Sequence, residues 1–222
     1  MNVSDAVASR LTVRVFQDRP VDGELLRTIM SKATRAASGG NVQPWNFCVL
    51  GGRELSGFRE VMEKRMEQGG TDEPEYAVYP PKLKEPYRTR RFELGEDMYV
   101  KLGIARDDRP ARLEWLKNNY RFFGAPVGMF CFVDRCMGAP QWSDLGMYLA
   151  TFALLLREAG LDCCFQEAWA NYAKTVEEYI KPDPEHMLFC GVGVGYRDTE
   201  APVNHLESKR APIEEIASFR GI

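Results

Sequence analysis

The chain has 222 residues, 45% of them hydrophobic and 27% charged, with 29 Lys+Arg against 32 Asp+Glu for a formal net charge of −3. That composition belongs to a globular protein with enough apolar side chain for a real core. A net acidic chain has no general attraction for phosphate polyanions, so nucleic acid and anionic membrane are not expected as partners.

Met1 to Arg10 is polar and lacks the apolar centre of a signal peptide. The uncharged run between Asp144 and Arg157 is well short of the roughly 20 residues that cross a bilayer. A cytoplasmic protein is expected. Asp22 is placed to cap a helix running toward Ala36, with Leu25, Ile29 and Ala33 on one stripe. Trp45–Leu50, after Pro44, reads as a buried strand, and Arg53–Met66 as a helix stopped by Gly69 and Gly70. From Thr71 to Arg91 prolines and charge break the pattern. Two helices, about 92–102 and 110–122, then lead into a buried strand over Pro126–Asp134.

The clearest expected element is a helix from Gln141 to Ala159, apolar on most of its faces and therefore central. Gly160 closes it. Leu161–Trp169 reads as strand then loop, and Met187–Tyr196 as another buried strand. The tail from Asp198 to Ile222 has few core residues and must lie on something else. Segregated helices and short apolar strands favour an α+β fold in a single domain, 1–222.

The six cysteines include no C-x-x-C pair and sit mostly in apolar runs, so buried free thiols are expected. With His186 and His205 far apart, no metal site is expected. The glycines of Gly191–Gly195 lie inside an apolar strand, with no helix after them, so they are not a dinucleotide loop.

Three segments carry more polar chemistry than packing needs. Ser9–Arg14 (SRLTVR) sets two arginines beside two hydroxyls, a suitable phosphate grip. Ala36–Trp45 (AASGGNVQPW) has small residues that let backbone approach a flat ligand, with Asn41 and Gln43 able to read ring polar atoms. Asn204–Pro212 (NHLESKRAP) offers Ser208 and Arg210 to an anion.

With GLDCCFQEAW at 160–169 and QWSDLGMYL at 141–149, these segments resemble the FMN-dependent nitroreductase family across nearly the whole chain, in the nitrobenzoate reductase-like subgroup. The resemblance implies a three-layer fold with a central, mostly antiparallel sheet flanked by helices. It also implies an intertwined homodimer, with two FMN at the subunit interface and C-terminal arms exchanged. Carried over, Arg10, Leu11, Thr12 and Arg14 hold the ribityl-phosphate with Ser208 and Arg210. Ala37, Ser38 and Gly39 approach the flavin from the other subunit, Asn41 and Gln43 support it, and Gln166, Glu167 and Ala168 lie along its ring. Leu11 stands where relatives commonly have a second basic residue, and Ala37 where they commonly have proline.

The implied reaction is ping-pong transfer from NADH or NADPH through flavin N5 to a small aromatic acceptor, so no separate catalytic dyad is needed. Residues 69–123 are expected to form a lid. Lys82–Arg91 holds five cations against one anion, interleaved with aromatics. Tyr87, Arg88, Arg91 and Tyr99 are its candidate acceptor contacts. The same scaffold also supports reductive dehalogenation, enone or quinone reduction and flavin fragmentation, or flavin binding without turnover.

Overall fold

The computed structural model describes all 222 residues. Four strands, β1 (Asn46–Gly51), β2 (Val127–Asp134), β3 (Asp162–Gln166) and β4 (His186–Gly195), form one sheet in the order β1-β2-β4-β3 with every pair antiparallel. Around it lie α1 (Val3–Ser9), α2 (Gly23–Ala33), α3 (Gly52–Glu67), α4 (Tyr87–Lys101), α5 (Arg109–Lys117), α6 (Ala139–Glu158), α7 (Ala173–Ile180) and α8 (Ile213–Ile216).

The period of two along β2 makes the layers. Val127, Met129, Cys131 and Val133 pack with α2 and α6 in one core, while Phe130 and Phe132 pack with α3 and α7 in a second. Helices therefore cover both faces of the sheet, as expected for an α+β three-layer fold. On β4 the alternation puts Gly191, Gly193 and Gly195 on the second face. A Cβ at Gly191 would overlap the Trp169 indole, and one at Gly195 would stand 2.6 Å from Pro126 Cδ. These glycines make room for bulky neighbours.

Asp22 caps α2, its Oδ1 accepting from the Glu24 and Leu25 amides at 2.8 and 2.9 Å. On α6, Leu145, Leu149, Phe152 and Leu156 are buried. All six cysteines are free, with Cys131, Cys163, Cys164 and Cys190 buried, Cys48 half-buried and Cys136 exposed.

Four elements differ from the sequence reading. β1, expected to be a buried strand, lies at the edge of the sheet with only Leu50 buried. The helix expected from residue 92 begins at Tyr87. The helix expected to reach 122 stops at Lys117, and a 3-10 turn over Asn118–Gly124 follows. There Phe122 and Phe123 take the left-handed region (φ 53° and 51°), which turns both rings into the second core. α7 has no counterpart among the expected elements, although Ala173, Val176, Tyr179 and Ile180 fall at helical spacing and pack on the second core; at eight residues it spans only about two turns.

The tail returns along α4 of the same chain. Arg90 pairs with Glu215 at 2.7 Å, and Lys209 lies 3.9 Å from both Glu93 and Asp97. Ile213, Ile216 and Phe219 remain exposed, as do Val3 and Val7 of α1 and Met147 of α6.

Candidate functional site

The site begins where the chain leaves α1. Val13 is fully buried and donates its amide to the Cys163 carbonyl at 3.2 Å, and Thr12 forms a parallel bridge with Cys163. The 10–14 segment thus runs as an added edge beside β3, with Thr12 and Arg14 flanking the buried Val13.

Two buried polar residues hold that edge. Asn204 accepts the Arg14 amide at 2.8 Å and donates to the Val15 and Asp198 carbonyls at 2.7 and 2.8 Å. It ties the first segment of the chain to the tail and so delivers Ser208 and Arg210 to the same place. Asp162, 3% exposed, receives both Arg197 nitrogens at 2.8 and 2.7 Å and Arg157 Nη1 at 2.6 Å. Arg197 also donates to the Ser9 carbonyl at 3.1 Å, so the Asp162 cluster fixes the end of α1. Asp162 raises the Arg197 pKa through this pairing.

A groove of about 1120 Å³ opens against this edge. Arg10, Leu11, Thr12 and Arg14 line it together with Ser208, Arg210, Phe165 and Glu167. Its far wall is α6, where Gly146, Ala150 and Ala153 present a small-residue face. Arg10 and Arg14 make no ion pair, and Arg210 donates only to Ser208 and Lys209, with Ser208 Oγ at 2.6 Å. Desolvation pushes the Glu167 carboxyl above its ordinary value.

The remaining sequence-derived residues lie elsewhere. Gln166 faces the other side of the sheet: it is 2% exposed and donates Nε2 to the Asn119 carbonyl at 2.6 Å, because its neighbours Phe165 and Glu167 take the groove side of the alternation. Ala168 is half-buried in the 3-10 turn that follows β3 and does not line the groove. Ala37, Ser38, Gly39, Asn41 and Gln43 form a separate loop. There the Gly39 amide reaches buried Asp144 at 3.2 Å, and Ser38 Oγ accepts the Gln43 amide at 3.1 Å. Asn41 and Gln43 adopt φ of 56° and 53°, a conformation that costs energy in residues other than glycine.

In the α4–α5 hairpin the arginines of α4 are already engaged, Arg90 by Glu215 of the tail. Arg88 pairs with Glu85 at 2.6 Å, and Arg91 lies over the Tyr79 ring at 4.0 Å. Tyr99 is not an open acceptor contact within this chain: it is 9% exposed, with the Arg112 guanidinium 4.0 Å above its ring and Arg112 held by Glu96. Tyr87 is exposed, and Leu94 is the hairpin residue that lines the groove. Sequence reasoning missed Asn204, Asp162 and Arg197 as site supports. A carboxylate next to an apolar strand, with no cation beside it in sequence, was the available signal for Asp162.

An α+β sheet whose edge gathers unpaired arginines and hydroxyls beside an apolar helical wall defines a protein for an anionic, partly flat ligand. The chain belongs to the Nitroreductase family, whose sequence profile matches residues 7–196. It is 31% identical over 215 residues to the 4-nitrobenzoate reductase of Pseudomonas putida, covering 97% of this chain and 94% of that one. Similarity to the nitrobenzene nitroreductase of Ectopseudomonas oleovorans is also 31%, over 98% of this chain and 96% of the relative. In structure it resembles the FMN and NADPH-dependent nitroreductase NfnB from Sphigopyxis sp. strain HMH, with a TM-score of 0.96 and 43% identity over both whole chains. The FMN-dependent NfnB of Mycobacterium smegmatis, solved with NADPH, superposes with a TM-score of 0.90 at 27% identity, covering 99% of this chain and all of that one. No helix is long and apolar enough to cross a membrane.

Proposed function

We propose that this protein is an FMN-dependent oxidoreductase that passes electrons from NAD(P)H to nitroaromatic acceptors, as a homodimer in the cytoplasm. The observation that carries this reading is the groove itself. Three arginines without carboxylate partners and two hydroxyls, drawn from opposite ends of the chain, converge at the edge of an apolar wall. That donor set fits a phosphate at one end and an aromatic ring system along the other.

FMN, when bound, supplies the two-electron relay between nicotinamide and nitro group. The protein's tasks are then binding, orientation and electrostatics. Arg10, Thr12, Ser208 and Arg210 hold the phosphate, and Arg14 brings positive charge to the ring side of the grip. Glu167 and the backbone through Ala168 border the ring, with Leu11 packing at the grip. Gln166 acts from behind, fastening the end of β3 to Asn119.

The loop carrying Ala37, Ser38, Gly39, Asn41 and Gln43 is exposed and away from its own groove, and we assign it to the partner subunit's FMN. Its left-handed residues fit such a use, since strained backbone persists where function holds it. The exposed apolar residues of α1, α6 and the tail supply the dimer contact, with Ile213, Ile216 and Phe219 as the part of the tail that reaches the partner, while its Ser208–Arg210 stretch stays on its own chain. Residues 69–123 form the lid, where Tyr87, Arg88 and Arg91 meet the acceptor and Tyr99 braces the hairpin from inside.

The visible spectrum of the purified protein, before and after anaerobic NADPH, tests the proposal. An oxidised-flavin spectrum that bleaches with NADPH and returns with 4-nitrobenzoate is the expected result. A protein that stays colourless after FMN is supplied would remove it. Bleaching that no nitroaromatic reverses would leave flavin binding and overturn the assigned acceptor.

A further inference from the structure

No residue of α4 belongs to either core, and its apolar side chains Tyr87, Phe92, Leu94 and Val100 are exposed. A helix held so little by burial opens at small cost. Charge supplies two of its attachments. On one side Glu96 takes both terminal nitrogens of Arg112 from α5, at 2.6 and 3.1 Å. On another, Arg90, Glu93 and Asp97 stand at i, i+3 and i+7, one stripe of the helix, and that stripe meets the tail.

The charges of helix and tail match in reverse order. Lys209 Nζ lies 3.9 Å from both Glu93 and Asp97, and further along the tail Glu215 accepts Arg90 Nη2 at 2.7 Å. Such exposed pairs count for little singly. Their position gives them a consequence. Leu206, Glu207, Ser208 and Arg210 line the groove, whereas Lys209 between them turns the other way, toward α4. The tail is therefore a strap with the phosphate grip on one side and the helix on the other. Asn204 fixes its upstream end, and Leu94 of α4 lines the same groove.

We infer that the strap clasps the lid to the FMN grip: a phosphate held by Ser208 and Arg210 fixes the strap, and the strap holds α4 against the groove through Lys209 and Glu215. This rests on the proposed FMN site. Lys209, Glu215, Arg90, Glu93 and Asp97 are positioning residues that act on the lid. By linkage the coupling is reciprocal, so the factor by which FMN favours the closed helix is the factor by which the closed helix favours FMN. Pairs this exposed set that factor at about fivefold. A weak clasp suits a lid that must reopen to exchange nicotinamide for acceptor.

The test measures hydrogen exchange over residues 87–101, with and without FMN, and the Kd for FMN. It compares the full chain with Arg90→Glu, Glu215→Arg and the two together. FMN should slow exchange over 87–101 about fivefold in the unaltered chain. Each single reversal sets like charges against each other. It should abolish most of that slowing and raise the Kd for FMN about threefold to fivefold, and the double reversal should restore both. The signs separate a clasp from plain attraction to the phosphate. Through its field alone, Arg90→Glu would weaken FMN binding and Glu215→Arg would tighten it.

Opposite shifts in Kd, or a double reversal no better than the single ones, would overturn the inference. So would normal FMN binding that leaves exchange over 87–101 unchanged, and in that case the proposed function still stands. A chain that binds no FMN removes both.

Discussion

The edge formed by residues 10–14 and 204–210 and the α4–α5 hairpin are both rich in arginine, yet they treat it in opposite ways. Along the edge the backbone is tightly held by Asn204 and by the Asp162 cluster, while Arg10 and Arg14 make no ion pair. In the hairpin Arg88, Arg90 and Arg112 meet Glu85, Glu215 and Glu96, and Arg91 meets an aromatic ring. A cation held without a counter-ion on a rigid frame is placed for an anion from outside. A cation paired on an exposed helix surface is held only weakly, since such pairs contribute little, and it can exchange its partner for a ligand's carboxylate.

The largest effect should come from breaking the frame. Asp162→Asn leaves Arg157 and Arg197 without their shared carboxylate and should cost about 3–5 kcal/mol in urea unfolding, with loss of tight FMN binding. Full FMN affinity in this variant would show that the frame does not position the grip. Arg210→Ala touches the grip alone. It should weaken FMN binding by about 10–100-fold, the worth of a hydrogen bond to a charged group, without moving the Tm of the FMN-free protein.

The hairpin should respond more gently and more selectively. Arg88→Ala or Arg91→Ala should change stability by less than about 0.5 kcal/mol, since exposed pairs are weak. Either should raise KM for 4-nitrobenzoate far more than for nitrobenzene, and equal rises would remove the acceptor role of the lid.

The smallest effect concerns acid. Glu96 is held below its ordinary value by Arg112, and Glu63 by Arg121. A carboxyl lowered on folding stabilises fully above its unfolded pKa of about 4.3, and that contribution fades as pH falls through the folded value. Hydrogen exchange over residues 87–117 should therefore quicken, relative to β2, as pH falls below about 4, beyond the intrinsic pH dependence of exchange. An unchanged ratio of the two would show that these pairs do not hold the hairpin.

Much of this molecule is legible in the sequence because the relevant forces are local. Period-two burial along Val127–Val133 and the apolar stripe of α6 each follow from side chains near in sequence, as does the Asp22 cap. The phosphate-type composition of Ser9–Arg14 and Asn204–Pro212 is equally visible, and so is the unsuitability of the 191–195 glycines for a dinucleotide turn. What those glycines do accommodate, the Trp169 indole and Pro126, comes from distant segments. The same holds for the turning of Gln166 away from the groove, the enclosure of Tyr99 beneath Arg112, and the separation of the Asn41–Gln43 loop from its own chain's groove. Each depends on a partner tens of residues away or on strand alternation near the end of β3. Composition states which charges a segment carries; only the packed chain decides which of them meet a counter-charge, and Arg10, Arg14 and Arg210 are among those that do not.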